Sequence, residues 1–195
     1  MRAPSPVVLS GARVRLEPLE ERHRAELEAA VAIDPGAFTL SGPVSSVGLG
    51  TWIARATEER DAGERLPVAV VSVEDGRAIG SSSYLDIAPA DGRLEIGATW
   101  YGRAWWRTFV NPESKLLLLG HAFDELGATR VAFRTDAANE HSRSAIERLG
   151  AVFEGIHRHR EHRPDGTLRD TAFYSILADE WPAVRAALEE RLATI

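Results

Sequence analysis

Three extended segments follow one another between residues 67 and 100 with no room for a helix between them. Residues 67–73 are rich in β-branched side chains, and Glu74-Asp75-Gly76-Arg77 carries the Asp-Gly pair of a tight hairpin. Residues 78–87 continue extended, and Ala90-Asp91-Gly92 turns the chain back into residues 94–100. Parallel neighbours need a long crossover, usually a helix, so these strands must form an antiparallel meander. A doubly wound nucleotide-binding sheet, in which helices alternate with strands, is thereby excluded.

On either side of the meander the pattern changes. Residues 7–16 read as extended, with a break at Ser10-Gly11. Pro18 precedes a helix over 20–33, whose stripe is Leu27, Ala30 and Val31, and Asp34-Pro35-Gly36 stops it. Residues 38–50 hold three glycines and one proline around Phe38, Leu40, Val44 and Val47, the composition of a loop that covers a site. A second helix is expected over 51–62. Beyond the meander, a helix over 112–126 has Asn111 as N-cap, Pro112 in its first turn and Gly127 past its end. A strand at 130–135 leads to a helix over 140–149, capped by Asn139 and closed by Gly150. Strands 152–163 and 168–177 are joined by Pro164-Asp165-Gly166, and a helix over 178–192 ends the chain. The order β-α-α-β-β-β-α-β-α-β-β-α predicts an α/β (α+β) fold: a mixed, mostly antiparallel sheet with helices on both faces. At 195 residues the chain is expected to form one domain, 1–195.

Composition removes several classes of function. With no cysteine, disulfide scaffolds, thiolate zinc sites and thiol nucleophiles are out. A net charge of −6 argues against a nucleic-acid binder, which needs a cationic face. The longest aliphatic run is Leu116–Leu119, far below the ~20 residues that span a bilayer, and the start Met1-Arg2-Ala3-Pro4-Ser5-Pro6 does not read as a secretion signal. A cytoplasmic protein without a membrane partner is expected. Lys115 is the only lysine among 23 basic residues, a bias from which the sequence alone supports no argument.

Residues 94–126 hold the most informative layout: a strand, a short irregular loop, then a helix opening on Asn111-Pro112-Glu113-Ser114. The first amides of a helix lack intrahelical acceptors and the dipole adds roughly half a positive charge there, so a phosphate or diphosphate fits such a mouth. Arg103 and Arg107 stand just upstream. Helix starts of this kind also commonly hold only water.

Four stretches carry a family resemblance. They are Leu94-Glu95-Ile96-Gly97-Ala98-Thr99-Trp100, the loop 105–111 with the helix through Phe123, the run from Asn139-Glu140-His141-Ser142 to Leu149-Gly150, and Asp170-Thr171-Ala172-Phe173-Tyr174-Ser175 with Glu180-Trp181. Together they resemble the GNAT acetyltransferase superfamily, closest to the branch that acetylates the N-termini of ribosomal proteins. The resemblance runs from Arg13 to about Val184. It implies acetyl-CoA as cosubstrate, with its pantetheine arm along the strand ending at Trp100-Tyr101. It further implies a diphosphate held by Trp106, Arg107, Thr108, Val110 and Asn111, a contact from Asn139 to the pantetheine arm, and no metal. One departure stands out. Where the family's loop carries two glycines, or a glycine and an alanine, this chain has Arg107 and Phe109. Glycine lets backbone amides approach a phosphate and permits positive φ. Two outcomes stay open: Arg107 pairs with the phosphate, or the Phe109 ring fills the cradle.

The resemblance also implies direct transfer to a primary amine, foremost a protein N-terminal α-amine, with a small-molecule amine as the alternative acceptor. Ser142 matches the proton donor to the leaving thiolate, though a first-turn serine can equally serve the Asn139 cap. It shares a helix face with Ala145, Ile146 and Leu149. Glu161 matches the base of the ribosomal branch and ranks narrowly above Glu95, which matches a common base position of the superfamily. Both acids could instead be ion pairs with nearby arginines. His157, His159 and Glu161 alternate along a strand, but no fourth metal ligand is evident, and the same basic stretch suits an acidic peptide. Trp100, Tyr101, Trp105 and Trp106 line either the acceptor cleft or the core. A non-catalytic acyl-CoA-binding or interaction module is the competing reading, motivated by Arg107 and Phe109. A homodimer is expected if the Leu116–Leu119 run makes its helix apolar on more than one face.

Overall fold

The computed structural model describes residues 1–33, 48–163 and 165–195, so most of the apolar loop expected at 38–50 and Pro164 of the last turn lie outside the described residues. In chain order the elements are β1 (Leu9–Ser10), β2 (Val14–Pro18), α1 (Arg24–Ala32), α2 (Leu49–Asp61), β3 (Leu66–Ser72), β4 (Ala78–Ala88), β5 (Arg93–Tyr101), α3 (Val110–Gly120), β6 (Arg130–Asp136), α4 (Glu140–Glu147), β7 (Val152–His162), β8 (Leu168–Leu177) and α5 (Trp181–Ala193). The strands form one sheet in the order β1-β2-β3-β4-β5-β6-β8-β7. Every neighbouring pair is antiparallel except β5–β6. The expected α+β architecture is therefore the observed one.

The sheet is covered on both faces by alternation along the strands. In β3, Val68 and Val70 enter one apolar layer, while Ala69 and Val71 enter the other. The first layer holds Leu118 and Leu119 of α3, Ile146 of α4, and Trp181, Val184 and Leu188 of α5. The second holds Leu27 of α1 with Trp52, Ile53 and Ala56 of α2. Covered on both sides, β3 is buried along its whole length, as its β-branched composition requires.

A bulge in β5 breaks this alternation. Ser81 pairs with Trp100 and Ser83 with Gly97, so β5 spends one residue more than β4 over the same span. The extra residue is accommodated at Ala98, whose φ is 47°. Before the bulge Leu94 and Ile96 face α3; after it Tyr101 does, and Trp100 turns toward α1 and α2. The Trp100 ring packs edge-on against Trp52 at 5.9 Å and is 3% exposed. Its side chain is a core element, one of the two alternatives its sequence left open.

The third helix starts two residues earlier than its sequence suggests. Phe109, not Asn111, is the N-cap, and the Val110 N–H donates to Thr108 Oγ1 at 3.3 Å. Pro112 still fits because any N–H in the first turn would lack an intrahelical acceptor. The helix passes through a wider π-type turn at His121–Glu125 and closes at Gly127, with φ 74°. On its second apolar side the half-buried Leu116 and Leu117 line a groove with Leu192 and Ala193 of α5. Among the described residues no helix is long and apolar enough to cross a membrane.

Candidate active site

The loop and helix start expected to form a cradle are both present. Loop 102–109 is tied to β5 by the Trp106 indole N–H, which donates to the Tyr101 carbonyl at 2.9 Å. Thr108 Oγ1 donates to the Trp105 carbonyl at 2.7 Å, closing the loop on itself. Among the described residues, the backbone N–H groups of Arg107, Thr108, Phe109 and Asn111 have no acceptor in the protein. Arg107 adopts φ 61°, the left-handed conformation the missing glycine would have taken. A non-glycine residue there costs about 1–2 kcal/mol, a strain retained in a loop that shapes a helix mouth. The Phe109 ring does not occupy that mouth. It lies under the Arg13 guanidinium at 4.3 Å and edge-on to Trp105 at 6.1 Å, on the flank facing the β1–β2 turn. Glu113, one turn on, holds the same flank by accepting the Arg13 backbone N–H at 2.8 Å.

Around the mouth the charge is positive. The Trp106 ring carries the Arg103 guanidinium at 4.4 Å and stacks on His141 of α4 at 4.7 Å, so the loop touches the first turn of α4. Burial, with Arg148, Arg107 and Arg103 nearby, lowers the His141 pKa. Asn139 caps α4 by accepting the Ser142 N–H at 3.0 Å, as its position predicts. The Ser142 hydroxyl has no protein partner among the described residues. Tyr101 is buried and its hydroxyl donates to Asn111 Oδ1 at 3.3 Å.

Between cradle and α4 the sheet forks. β5 pairs with β6 only over Arg93–Arg130, Leu94–Val131 and Glu95–Ala132; both strands then continue unpaired with each other, β5 to Tyr101 and β6 to Asp136. Glu95 is thus the last paired residue before the fork. It is 4% exposed, and burial pushes its carboxyl up to about 7 against the pull of Arg134, whose Nε is 2.8 Å from Oε2. Gly97 makes room for it: a Cβ there would stand 2.6 Å from Glu95 Oε1 and 2.8 Å from Leu85 Cδ1.

Glu161 faces the same place from β7. Its carboxylate lies 4.0 Å from Arg134, 3.6 Å from Arg160 and 3.1 Å from Arg169, and its side chain is 39% exposed. Arg134 therefore joins the two acids named from sequence, and sequence reasoning did not single it out. A bulge between His157 and Glu161, with His159 at φ 50°, breaks the alternation that suggested a metal site. Among the described residues no three His, Asp or Glu side chains group to hold a metal. Lys115, also missed, is 4% exposed, with its Nζ 2.6 Å from Thr99 Oγ1 and 3.2 Å from Ser82 Oγ at the β5 bulge.

Comparison with known proteins adds to this geometry. The sequence profile of the Acetyltransferase (GNAT) domain matches residues 13–152. The Bacillus subtilis protein named "Putative ribosomal N-acetyltransferase YdaF" is 31% identical over 107 residues, and the chain spans 57% of its length. A GCN5-related N-acetyltransferase from Brucella melitensis is 32% identical, with a TM-score of 0.89 over 97% of this chain and 87% of that one. Mycobacterium smegmatis RimJ, solved with CoA-disulfide, shares the fold at 20% identity, with a TM-score of 0.83 over 98% of this chain and 97% of its own. The profile spans the forked strands, the loop and the helix mouth together, and on that match the chain belongs to the GNAT acetyltransferase family.

Proposed function

We propose that this chain is an acetyl-CoA-dependent N-acetyltransferase whose acceptor is a primary amine, foremost the α-amine of a protein N-terminus. The observation that carries the reading is Glu95, a buried carboxyl poised at about 7 where β5 and β6 part. A general base works best with a pKa near the operating pH. The name of YdaF supports a ribosomal acceptor for the acetyl group, and the CoA-disulfide bound to RimJ is in keeping with a CoA donor on this fold.

The residues present fit acetyl-CoA. The free amides of 107–109 and 111, with Arg107 and Arg103 beside them, suit a diphosphate, and the unpaired edge of β5 offers main-chain groups to a pantetheine arm. Bound there, acetyl-CoA supplies an acetyl group already activated as a thioester. Glu95 accepts the proton that the amine must lose, and Arg134 orients the carboxylate and limits how far its pKa rises. A backbone N–H in the unpaired stretch of β5 supports the carbonyl oxygen. The Ser142 hydroxyl, unengaged at the start of α4, donates the proton that the departing sulfur requires. Glu161, held by three arginines, fixes Arg134, so the base role passes from Glu161 to Glu95.

The acceptor preference follows from proton affinity. An α-amine has a pKa of about 7.7–8.0 and lysine about 10.4, so a base near 7 activates the former more easily. The arginines beside Glu95 further disfavour a protonated amine. Binding without transfer was motivated by a blocked loop, and with Phe109 turned onto Arg13 that reading has no observation of its own. The test is release of CoA thiol with free-N-terminal peptides, α-blocked lysine peptides and small amines, alongside calorimetry with acetyl-CoA. Acetylation at the N-terminus with a weaker binding constant in Arg107→Ala is expected. Transfer confined to small amines would overturn the acceptor, and no transfer despite binding would overturn the enzyme.

A further inference from the structure

On the face that bears Glu95 the helical cover lies over β3 and β4, to which α2 and α1 pack. Beyond Glu95 the sheet continues through β6, β8 and β7. This stretch presents Arg134 opposite Phe173, then His157 tilted against Phe173 at 4.1 Å and Arg160 over the same ring at 5.2 Å. Residues 157–163 contain three arginines, three histidines and a single acid, in a chain whose net charge is −6. Arg158, His159 and Arg160 lie within the bulge at 157–161, and all three are exposed. Among the described residues Arg158 has no carboxylate within ion-pair distance. The local acids are already engaged: Glu161 by Arg134, Arg160 and Arg169, Asp136 by Arg163 at 2.6 Å, and Asp170 by the His159 N–H at 2.8 Å.

We infer that this half-sheet, on whose Glu95 face no helix lies among the described residues, is a docking strip for an acidic acceptor peptide, laid from Glu95 across β6 and β8 to the bulged edge of β7. The inference rests on the N-terminal transferase reading and names its substrate class. Distances agree. Strands lie about 4.8 Å apart, so β8 is about 10 Å and β7 about 14 Å from β5, while an extended peptide advances about 3.3 Å per residue. With its amine at Glu95, a substrate places residues 3 to 5 over Arg169, Phe173, Arg160 and Arg158. Acidic side chains there meet surplus guanidinium charge, and an apolar one meets the Phe173 ring. A nucleic-acid backbone would need a far wider cationic field than an acidic chain provides.

The test compares peptides that share a first residue and differ at positions 2–5, being acidic, neutral or basic. kcat/KM is read at low and high salt with saturating acetyl-CoA. Acidic peptides are expected to exceed basic ones about tenfold at low salt, as two or three exposed ion pairs allow, with the gap closing as salt rises. Arg158→Glu with Arg160→Glu should erase or invert the order. In parallel, fluorescence anisotropy measures the N-acetylated acidic and basic peptides binding to the protein with CoA, a readout that requires no transfer. Equal kcat/KM for acidic and basic peptides, or a preference unchanged by the double reversal, would overturn the strip. Selective anisotropy without any transfer would support the strip while failing the transferase reading.

Discussion

Glu95 and Lys115 stand on opposite faces of the sheet at the same stretch of β5, and burial moves both toward neutrality. It pushes the Glu95 carboxyl up to about 7 and the Lys115 ammonium down to about 7. Their surroundings differ. Lys115 points from α3 onto the bulge, where among the described residues it meets two hydroxyls and no acid. Glu95 has an arginine at 2.8 Å and stands where the strands part. Burial accounts for both shifts; access separates a group that can meet substrate from one that braces a helix against a bulge.

The largest effect expected to sharpen that contrast is on turnover. Glu95→Gln should lower kcat by about 10²–10⁴-fold, the usual worth of a general base, with the acetyl-CoA binding constant preserved in calorimetry. Lys115→Met should hold kcat within a few-fold. A reversal of these two outcomes breaks the comparison. Gly97→Ala comes next: its methyl displaces the carboxylate it would touch, and steady-state kinetics should show a loss of roughly tenfold, since small misplacements of catalytic groups are expensive.

Arg134→Met acts on titration instead. Arg134 opposes the upward push of burial on Glu95, so its removal should move the acidic limb of the kcat/KM profile upward by about one pH unit. The smallest effects are on stability, and they have opposite signs in adjacent windows. Between 4.5 and about 7 the folded chain holds a proton on Glu95 that the unfolded chain lacks, so this group's contribution falls as pH rises through that range. Between about 7 and 10.5 the unfolded chain holds the extra proton on Lys115, so stability rises with pH. Each slope approaches ~1.4 kcal/mol per pH unit at most. Thermal denaturation across pH should show Glu95→Gln flattening the first slope and Lys115→Met the second.

Much of this architecture is legible in the residues. The Asp-Gly turn at 75–76, with Gly76 at φ 72°, and the Asn139 cap are local rules that tertiary contacts did not override. What escaped involves positions where one residue breaks a period. Ala98 carries the bulge without being glycine, so nothing in the sequence marks the point where Trp100 turns inward. Thr108, not Asn111, satisfies the first helical amide, because proline two positions later fits either start. The partnership of Arg134 with Glu95 and Glu161 joins three strands distant in sequence, and that of Lys115 with Ser82 and Thr99 joins a helix to two strands. Such contacts depend on register, and register follows from bulges that no composition rule locates.

The central claim is that a carboxyl titrating near 7 at the fork takes the proton from the amine. Its most direct test is the pH dependence of single-turnover acetylation of an N-terminal peptide by the unaltered chain and by Glu95→Gln. The account predicts an acidic limb with a midpoint near 7 that disappears in the variant, together with most of the rate. A variant that keeps both the limb and the rate would contradict it.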